Sequence, residues 1–460
     1  MPSARYVFKT LTTTLVICLL GGAVWLYLWP PELLRVGTGY AAKIVCSNVF
    51  VVGRDPDAVL YDDVQAPGNV LLRFVTVSVD RSNKRVTAAF LGFIAPNFAL
   101  YRGASGCTSV PDGDFAAALN AVPFVEPKVL ELSDLTWPDG EVVSERSDND
   151  VLHLLENEAL AGQKMRAVIV VHNGRIIAER YGHGFSAKTP LLGWSMTKTV
   201  NALLVGHLIY TGKLNISDTN LFREWQHDDR SKIKLSDLLE MRSGLAFNES
   251  YGSVTDATRM LYLEPDMVSL PIMAKLVAAP GARFNYSSGT SVLLSAIWMN
   301  RVKDRQKALD YPTDALFGPL GMTSAVLEQD ARGTFAGGTY LYATAHDWAR
   351  LGQFLLQDGV WKGQRFLSED FMNALKTPQR SGSRYTQAQA WVAAPDGERN
   401  VDTGVPADTF WLEGHDGQSM AIVPSLNLVL LRMGLTPNYL GYKPQLLLKQ
   451  ITDKIAGQKQ

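Results

Sequence analysis

The chain has 460 residues, which is enough for a large core and, at about 150 residues per domain, for two or three structural units. Its 44 Lys and Arg residues balance 45 Asp and Glu residues without a long run of either sign, so the charge pattern indicates no nucleic-acid partner. The 7 histidines and 3 cysteines lack metal-ligand spacing, and neither a His-Glu-x-x-His helix nor a glycine-lysine phosphate loop occurs. The sequence therefore predicts no metal, no nucleotide and no other cofactor.

The first predicted element is an uncharged run over residues 10–29, preceded by Arg5 and Lys9. As a helix, about 20 residues cross a bilayer core of about 30 Å. We therefore predict a transmembrane anchor over residues 1–30. By the positive-inside tendency, we expect the catalytic domain to lie outside the cytoplasmic membrane, which is the periplasm if the source is a Gram-negative bacterium. The alternative is a cleaved secretory signal, for which small residues are present in the run.

The two cysteines outside this run, Cys46 and Cys107, lie in the segment that follows it. Disulfides persist in oxidising compartments, so export predicts a disulfide between them. Two buried free thiols are the alternative, because separation along the sequence does not report proximity in space.

Residues 31–140 are predicted to form an accessory region with a β-hairpin. Residues 70–79 and 85–91 are alternating, β-branched runs on either side of a polar turn, a pattern typical of paired strands. A polar, acid-rich stretch then indicates a domain boundary, so residues 141–460 form the predicted catalytic domain.

The catalytic domain begins and ends with strand-like segments. Residues 166–171 and 175–181 flank Asn173-Gly174, the strongest short signal for a hairpin. Helical periodicity dominates from Ser195 to about residue 400, and two further strand-like segments precede an amphipathic helix that begins at Pro444. This order predicts an α/β fold: an antiparallel sheet flanked by helices, with an inserted all-helical region and a site in the cleft between them.

A candidate nucleophile stands at the start of that helical run. Ser195 is followed three residues later by Lys198, and one helical turn places both side chains on one face, where the amine can act as base for the hydroxyl. Ser231 and Lys234 repeat the pattern, but in a polar stretch typical of a solvated loop. The context therefore favours Ser195.

Two tyrosines are candidates for proton transfer to or from the reacting groups. Tyr286 lies in a tight loop that leads into an apolar helix, where a phenol can point into a cleft. Tyr251 begins the same Tyr-x-Ser pattern in a loop rich in Ser and Thr. Each tyrosine, taken alone, can instead be a half-buried packing residue.

The third candidate element is Gly-His-Asp-Gly-Gln at residues 414–418, which leads into a predicted strand. Glycine lets the backbone approach a ligand closely, and the following N–H can point at an oxyanion alongside the N–H of Ser195. A plain turn is the alternative, because Asp-Gly is itself a turn signal.

Taken together and in order, these elements resemble the serine β-lactamase-like superfamily, which includes penicillin-binding proteins, class C β-lactamases and related esterases. The resemblance covers about residues 165–433, and the residues around Ser195 and Tyr286 are most similar to the 6-aminohexanoate-dimer-hydrolase-like branch. It implies that Ser195 is acylated and that Lys198 and Tyr286 share the general base and acid roles.

The resemblance also implies how the substrate is held. The N–H groups of Ser195 and Gln418 would form the oxyanion hole. The other implied oxyanion or substrate contacts are His415, Gly417, Ser288 and Tyr251.

Two departures from the family pattern bear on the substrate. Members that act on β-lactams carry Asn in Tyr-x-Asn and Lys in Lys-Thr-Gly, where this chain has Ser288 and His415. Histidine is mostly neutral at pH 7, and the carboxylate of Asp416 beside it repels an anion. We therefore predict a small-molecule ester or amide other than a β-lactam. The Gly-x-Ser-x-Gly elbow of α/β-hydrolases is absent, because Thr197 occupies its last position.

The competing hypothesis is a penicillin-binding-protein-like receptor or assembly factor that is acylated, or merely binds, without turnover. The accessory region, the predicted anchor and the missing Asn motivate it. The sequence does not indicate an oligomeric state.

Overall fold

Helices and a four-stranded antiparallel sheet make up the chain before residue 128. The computed structural model describes residues 4–66, 68–127, 134–143 and 148–457. In this first part the elements are α1 (Ala4–Leu28), α2 (Glu32–Phe50), α3 (Pro56–Val59), β1 (Val75–Asp80), β2 (Arg85–Phe90), β3 (Ile94–Tyr101), β4 (Cys107–Ser109) and α4 (Phe115–Ala121). The strands lie in the order β1-β2-β3-β4.

The predicted membrane anchor requires a correction. Within the part of the chain that the structure describes, no helix has the length and apolar character needed to cross a bilayer. Polar side chains, among them Lys9 and Thr12, interrupt the described residues of α1. The prediction of an anchor over residues 1–30 is therefore wrong. The predicted location of the catalytic domain outside the cytoplasmic membrane depended on that anchor and is corrected with it.

The hairpin predicted in the accessory region is confirmed, with one difference. β1 pairs with β2 in the register Val79↔Val86. Val70–Phe74, predicted as part of the first strand, is instead a 3₁₀ helix. The Asn69 side chain accepts a hydrogen bond from the N–H of Leu71, which caps this turn and stops the strand from extending backwards.

The predicted disulfide is confirmed. Cys46 in α2 and Cys107 in β4 are bonded, with their Cα atoms 6.1 Å apart, and both residues are fully buried. The bond joins the longest described helix after α1 to the edge strand of the sheet.

The remaining chain carries a second, five-stranded sheet and most of the helices. Its elements are α5 (Asn149–Glu156), α6 (Glu158–Ala161), β5 (Met165–His172), β6 (Arg175–Tyr181), β7 (Leu191–Leu192), α7 (Met196–Tyr210), α8 (Leu235–Leu239), α9 (Asp256–Tyr262), α10 (Ser269–Ile272), α11 (Ser288–Val302), α12 (Arg305–Pro312), α13 (Gly318–Leu320), β8 (Val326–Leu327), β9 (Leu341–Ala343), α14 (Ala345–Leu356), β10 (Val360–Trp361), β11 (Gln364–Arg365), α15 (Glu369–Lys376), β12 (Phe410–Gly414), β13 (Gln418–Val423), β14 (Leu428–Gly434) and α16 (Pro444–Gly457).

The five-stranded sheet joins the two ends of this region, as the sequence predicted. Its order is β12-β13-β14-β5-β6 and every neighbouring pair is antiparallel. Asn173 and Gly174 both have positive φ, 51° and 76°, which is the geometry of the two-residue turn predicted between β5 and β6. The α/β fold with antiparallel sheets and flanking helices is thus observed.

Both faces of this sheet are buried, because side chains alternate between them along each strand. On β5, Ile169 and Val171 pack into the main core with α7 and α14. Val168 and Val170 pack on the opposite face with residues of α5 and α16. The sheet is therefore the rigid layer against which α7, with its candidate nucleophile, is fixed.

The accessory region packs directly on the catalytic region through buried polar contacts. Glu328 forms an ion pair with Lys43 of α2. It also accepts a hydrogen bond from Ser47 of the same helix, with 2.9 Å between the serine Oγ and the carboxylate oxygen. The Arg102 guanidinium donates to the carbonyl of Gln329 at 2.9 Å. One apolar cluster also contains residues from both regions. The predicted division at residue 140 stays a prediction, and residues 128–133 and 144–147, near it, lie outside the described residues.

Candidate active site

A sharp turn presents Ser195 at the start of α7. The residue before it, Trp194, has φ 48°, a left-handed conformation that is rare and costly for a bulky side chain. Gly193 is needed at the turn because a Cβ there would lie 2.3 Å from the ring of Trp348. Ser195 itself is partly exposed. Strain of this kind, held by a packed core, is typical of a functional position.

Lys198 lies within hydrogen-bonding distance of the Ser195 hydroxyl. Its Nζ is 3.0 Å from Ser195 Oγ, 2.9 Å from Ser288 Oγ and 2.9 Å from the carbonyl oxygen of Gly338. Only 1% of the lysine is exposed. Burial lowers its pKa to about 8, although the nearby Glu249 carboxylate acts in the opposite direction. At a pKa of about 8, about a tenth of this amine is neutral at pH 7, far more than for an ordinary lysine.

Glu249 is a site residue that sequence reasoning missed. Its carboxylate lies 3.8 Å from Lys198 Nζ, and it accepts hydrogen bonds from the Ser288 hydroxyl at 2.5 Å and from the Ser288 N–H at 2.7 Å. The sequence signal was an acidic residue two positions before Tyr251, in a loop that could not be placed. Ser288 is fully buried, and its hydroxyl accepts a hydrogen bond from Lys198 and donates one to Glu249.

Tyr286 comes two residues before α11, so this helix positions both its phenol and Ser288. Lys198 Nζ lies 4.8 Å from the centre of the Tyr286 ring. Burial and the Glu249 charge raise the pKa of Tyr286 well above its usual value, while a hydrogen bond with Ser195 lowers it by less. The phenol is therefore neutral and can donate a proton. The side chain packs edge-on against Tyr385, with ring centres 5.7 Å apart.

Tyr251 and His415 lie together beside the nucleophile turn. The His415 ring centre is 5.2 Å from that of Tyr251 and 5.5 Å from that of Trp194. The Tyr251 hydroxyl donates to Glu249 at 3.2 Å. The loop of Tyr251, which the sequence could not locate, thus reaches the same site as Tyr286.

The turn over residues 414–418 joins β12 to β13 next to Ser195. Gly414 has no room for a side chain, because a Cβ would lie 2.3 Å from the carbonyl oxygen of Gly193. Gly417 has φ 81°, which favours glycine. Gln418 is buried, and its side-chain amide donates to the carbonyl of His415 at 2.8 Å, which fixes the turn.

The second Ser-x-x-Lys copy lies elsewhere. Ser231 is in a 3₁₀ turn, where its hydroxyl donates to the carbonyl of Asp228 at 2.7 Å, and Lys234 is exposed. This agrees with the prediction of a solvated loop.

The arrangement of a serine, a buried lysine and a tyrosine between a sheet and a helical region can be compared with known proteins. Residues 157–434, more than half of the chain, match the sequence profile of the Beta-lactamase family. The chain belongs to the beta-lactamase family. The resemblance predicted from its motifs is therefore confirmed. No curated protein matches the chain.

Solved structures show the same beta-lactamase fold. A Bacillus anthracis protein assigned as a 6-aminohexanoate-dimer hydrolase superposes with a TM-score of 0.56 at 19% identity, over 75% of this chain and 95% of that one. A penicillin-binding-protein homologue from Caulobacter crescentus gives 0.53 at 15% identity, over 68% and 98%. A family VIII carboxylesterase gives 0.51 at 14% identity, over 71% and 100%. At these identities the likeness establishes the fold alone.

Proposed function

We propose that this member of the beta-lactamase family is a serine hydrolase that cleaves an ester or amide through an acyl-enzyme on Ser195. The observation that carries the proposal is the 3.0 Å contact between Lys198 Nζ and Ser195 Oγ, made by a lysine whose pKa burial lowers to about 8. A neutral amine at that distance can accept the serine proton as the hydroxyl attacks a carbonyl carbon.

Lys198 and Tyr286 divide the proton transfers in this proposal. The amine of Lys198 takes the proton of Ser195, and the neutral phenol of Tyr286 gives its proton to the leaving group. The ammonium of Lys198 then returns a proton to the phenolate, and the cycle repeats with water as the nucleophile. The opposite pKa directions of the two groups support this division.

Two backbone N–H groups are proposed to hold the oxyanion. One is that of Ser195 at the start of α7, where the helix dipole also favours negative charge. The other comes from the turn after Gly414, either the N–H of Gln418, as predicted from the sequence, or that of His415. The close approach of Gly414 to the carbonyl of Gly193 supports this turn as the source.

A neutral substrate rather than a β-lactam follows from the surroundings of His415. Its ring lies against Trp194 and Tyr251, and its Nε2 is 3.4 Å from a carboxylate oxygen of Asp416. Burial raises the pKa of Asp416, although His415 and Arg166 act to lower it. A substrate carboxylate would therefore meet aromatic rings and an acidic side chain where family members that act on β-lactams offer a lysine.

Labelling and turnover test this proposal together. The full chain is treated with a fluorophosphonate probe and assayed against esters, linear amides and β-lactams. Ser195→Ala is expected to abolish labelling and lower turnover by several orders of magnitude. Ser231→Ala, in the exposed copy of the motif, is the matched control and should leave both unchanged. Turnover that survives Ser195→Ala within tenfold would refute the proposal.

The same reaction followed by intact-protein mass spectrometry separates turnover from mere acylation. Product release without an accumulating adduct is expected. A persistent adduct on Ser195 without product release would instead support the receptor or assembly-factor hypothesis.

A further inference from the structure

A cavity of about 350 Å³ lies between the accessory region and the residues around Ser195. This volume is within the range of small-molecule sites. The accessory region supplies an apolar wall from α2, the 3₁₀ turn and the first two strands. Its main residues are Leu33, Val36, Leu71, Leu72, Val75 and Phe90.

The opposite wall consists of residues already placed at the candidate active site. Trp194, Tyr251 and His415 line this cavity. Trp194 directly precedes the nucleophile in sequence, and Tyr251 is hydrogen-bonded to Glu249. The cavity therefore borders the candidate active site through these three side chains.

The lining favours an uncharged, apolar occupant. Among the described residues that form it there is neither a Lys nor an Arg, and the acidic group is Asp416. An anionic group would lack a cation there, whereas a hydrocarbon chain would be removed from water against Leu, Val and Phe side chains.

We propose that this cavity binds an apolar chain of the substrate, so that residues of the accessory region determine the specificity of the hydrolase. The proposal rests on the proposed function, since it requires Ser195 to react with the same substrate. It gives the region over residues 31–140 a role that the catalytic motifs do not explain.

Two series of esters test which chain the cavity holds. In the first, p-nitrophenyl acetate, butyrate, hexanoate and octanoate vary the acyl chain. In the second, ethyl to octyl acetates vary the alcohol chain. Each methylene that enters the cavity should raise kcat/KM by at most about fourfold, which is the factor that corresponds to the transfer free energy of one buried CH₂ group. A rise in kcat/KM that continues beyond a four-carbon chain in one series supports the proposal and identifies which chain of the ester the cavity holds.

Substitutions that fill the cavity supply the second readout. In the series that gains from chain length, Leu71→Trp and Leu33→Trp should lower the ratio of kcat/KM for the longest ester to kcat/KM for the shortest ester at least tenfold. Leu119→Trp is the matched control, because Leu119 is a helical leucine of the accessory region, is 37% exposed against 36% for Leu33, and does not line the cavity. It should leave the ratio unchanged.

Failure of this proposal is distinct from failure of the hydrolase mechanism. If Ser195 is labelled and turns over esters but neither series gains from chain length, or both filling variants keep the wild-type ratio, the cavity does not bind the substrate. Thermal melting of both filling variants is measured alongside, and an unchanged ratio in a variant that melts as a folded protein counts against the proposal.

Discussion

The carboxylate of Glu249 lies 3.8 Å from the amine of Lys198, and the hydroxyl of Ser288 bridges them. The contact matters because it opposes burial. Burial removes water from the ammonium and lowers its pKa, while a negative charge close by favours the protonated form. The pKa of Lys198, on α7, is therefore set by its burial and by the carboxylate of Glu249 in the loop before α9.

Removing the charge of Glu249 should move the pH dependence of the reaction. A lysine base must be neutral, so kcat/KM of the wild type is expected to rise with pH up to about 8, the pKa of Lys198. Glu249→Gln keeps a hydrogen-bond acceptor for Ser288 but lowers the pKa of Lys198 further, so the rise occurs at lower pH. Profiles measured from pH 5 to 10 give the readout, with Glu264→Gln as control. A shift to higher pH would show that Glu249 does not act through the lysine charge.

Tyr286→Phe tests the proton donor. Loss of the phenol should lower kcat by about 10². Tyr385→Phe removes the hydroxyl of a neighbouring buried tyrosine and should have little effect, which controls for disturbed packing of the two rings. If Tyr286→Phe is active and Tyr251→Phe is not, the donor role belongs to Tyr251.

Much of this site could be predicted because its elements have local signals. The spacing of Ser195 and Lys198 depends only on one helical turn, and Asn173-Gly174 specifies its own hairpin. The order of the motifs then indicated the family. These predictions needed no knowledge of contacts between residues far apart in the sequence.

Other features depend on long-range packing and could not be predicted. Glu249 reaches Lys198 only because a loop folds over α11, and nothing in its neighbourhood specifies that path. Asn69 makes β1 begin later than predicted, because its side chain caps a 3₁₀ turn that competes with β pairing. The apolar cavity needs two regions to meet, so it has no signature in either one.

The Cys46–Cys107 disulfide should contribute strongly to stability. It joins residues 61 positions apart in the sequence and ties α2 to β4. Replacing both cysteines by serine should lower the free energy of unfolding by about 2–5 kcal/mol. Urea denaturation of the double variant measures this, with Cys18→Ser as the control that leaves the disulfide intact. Equal stability of wild type and double variant would contradict the expectation.

His346 should make stability fall at alkaline pH. Its Nδ1 lies 2.8 Å from Glu141 and its Nε2 2.8 Å from Glu179. Burial acts to lower the pKa of His346, but the two carboxylates outweigh it and raise the pKa to about 9. Because this exceeds the value of about 6.5 in the unfolded chain, the stabilisation is complete below about pH 6.5 and is lost as pH rises through about 9.

The free energy of unfolding of the wild type, measured relative to that of His346→Gln, should therefore drop by about 3 kcal/mol between pH 6.5 and pH 10. The comparison with the variant is needed because the lowered pKa of Lys198 makes the stability of both proteins rise over the same range. His346→Gln should be less stable than the wild type at pH 6.5, and the two proteins should approach equal stability at pH 10, because no group at position 346 of the variant loses a proton. His153→Gln, at an exposed histidine, should keep the pH dependence of the wild type. Urea denaturation at four pH values across this range provides the measurement. Parallel curves for the wild type and His346→Gln would show that the two carboxylates do not hold a proton on His346.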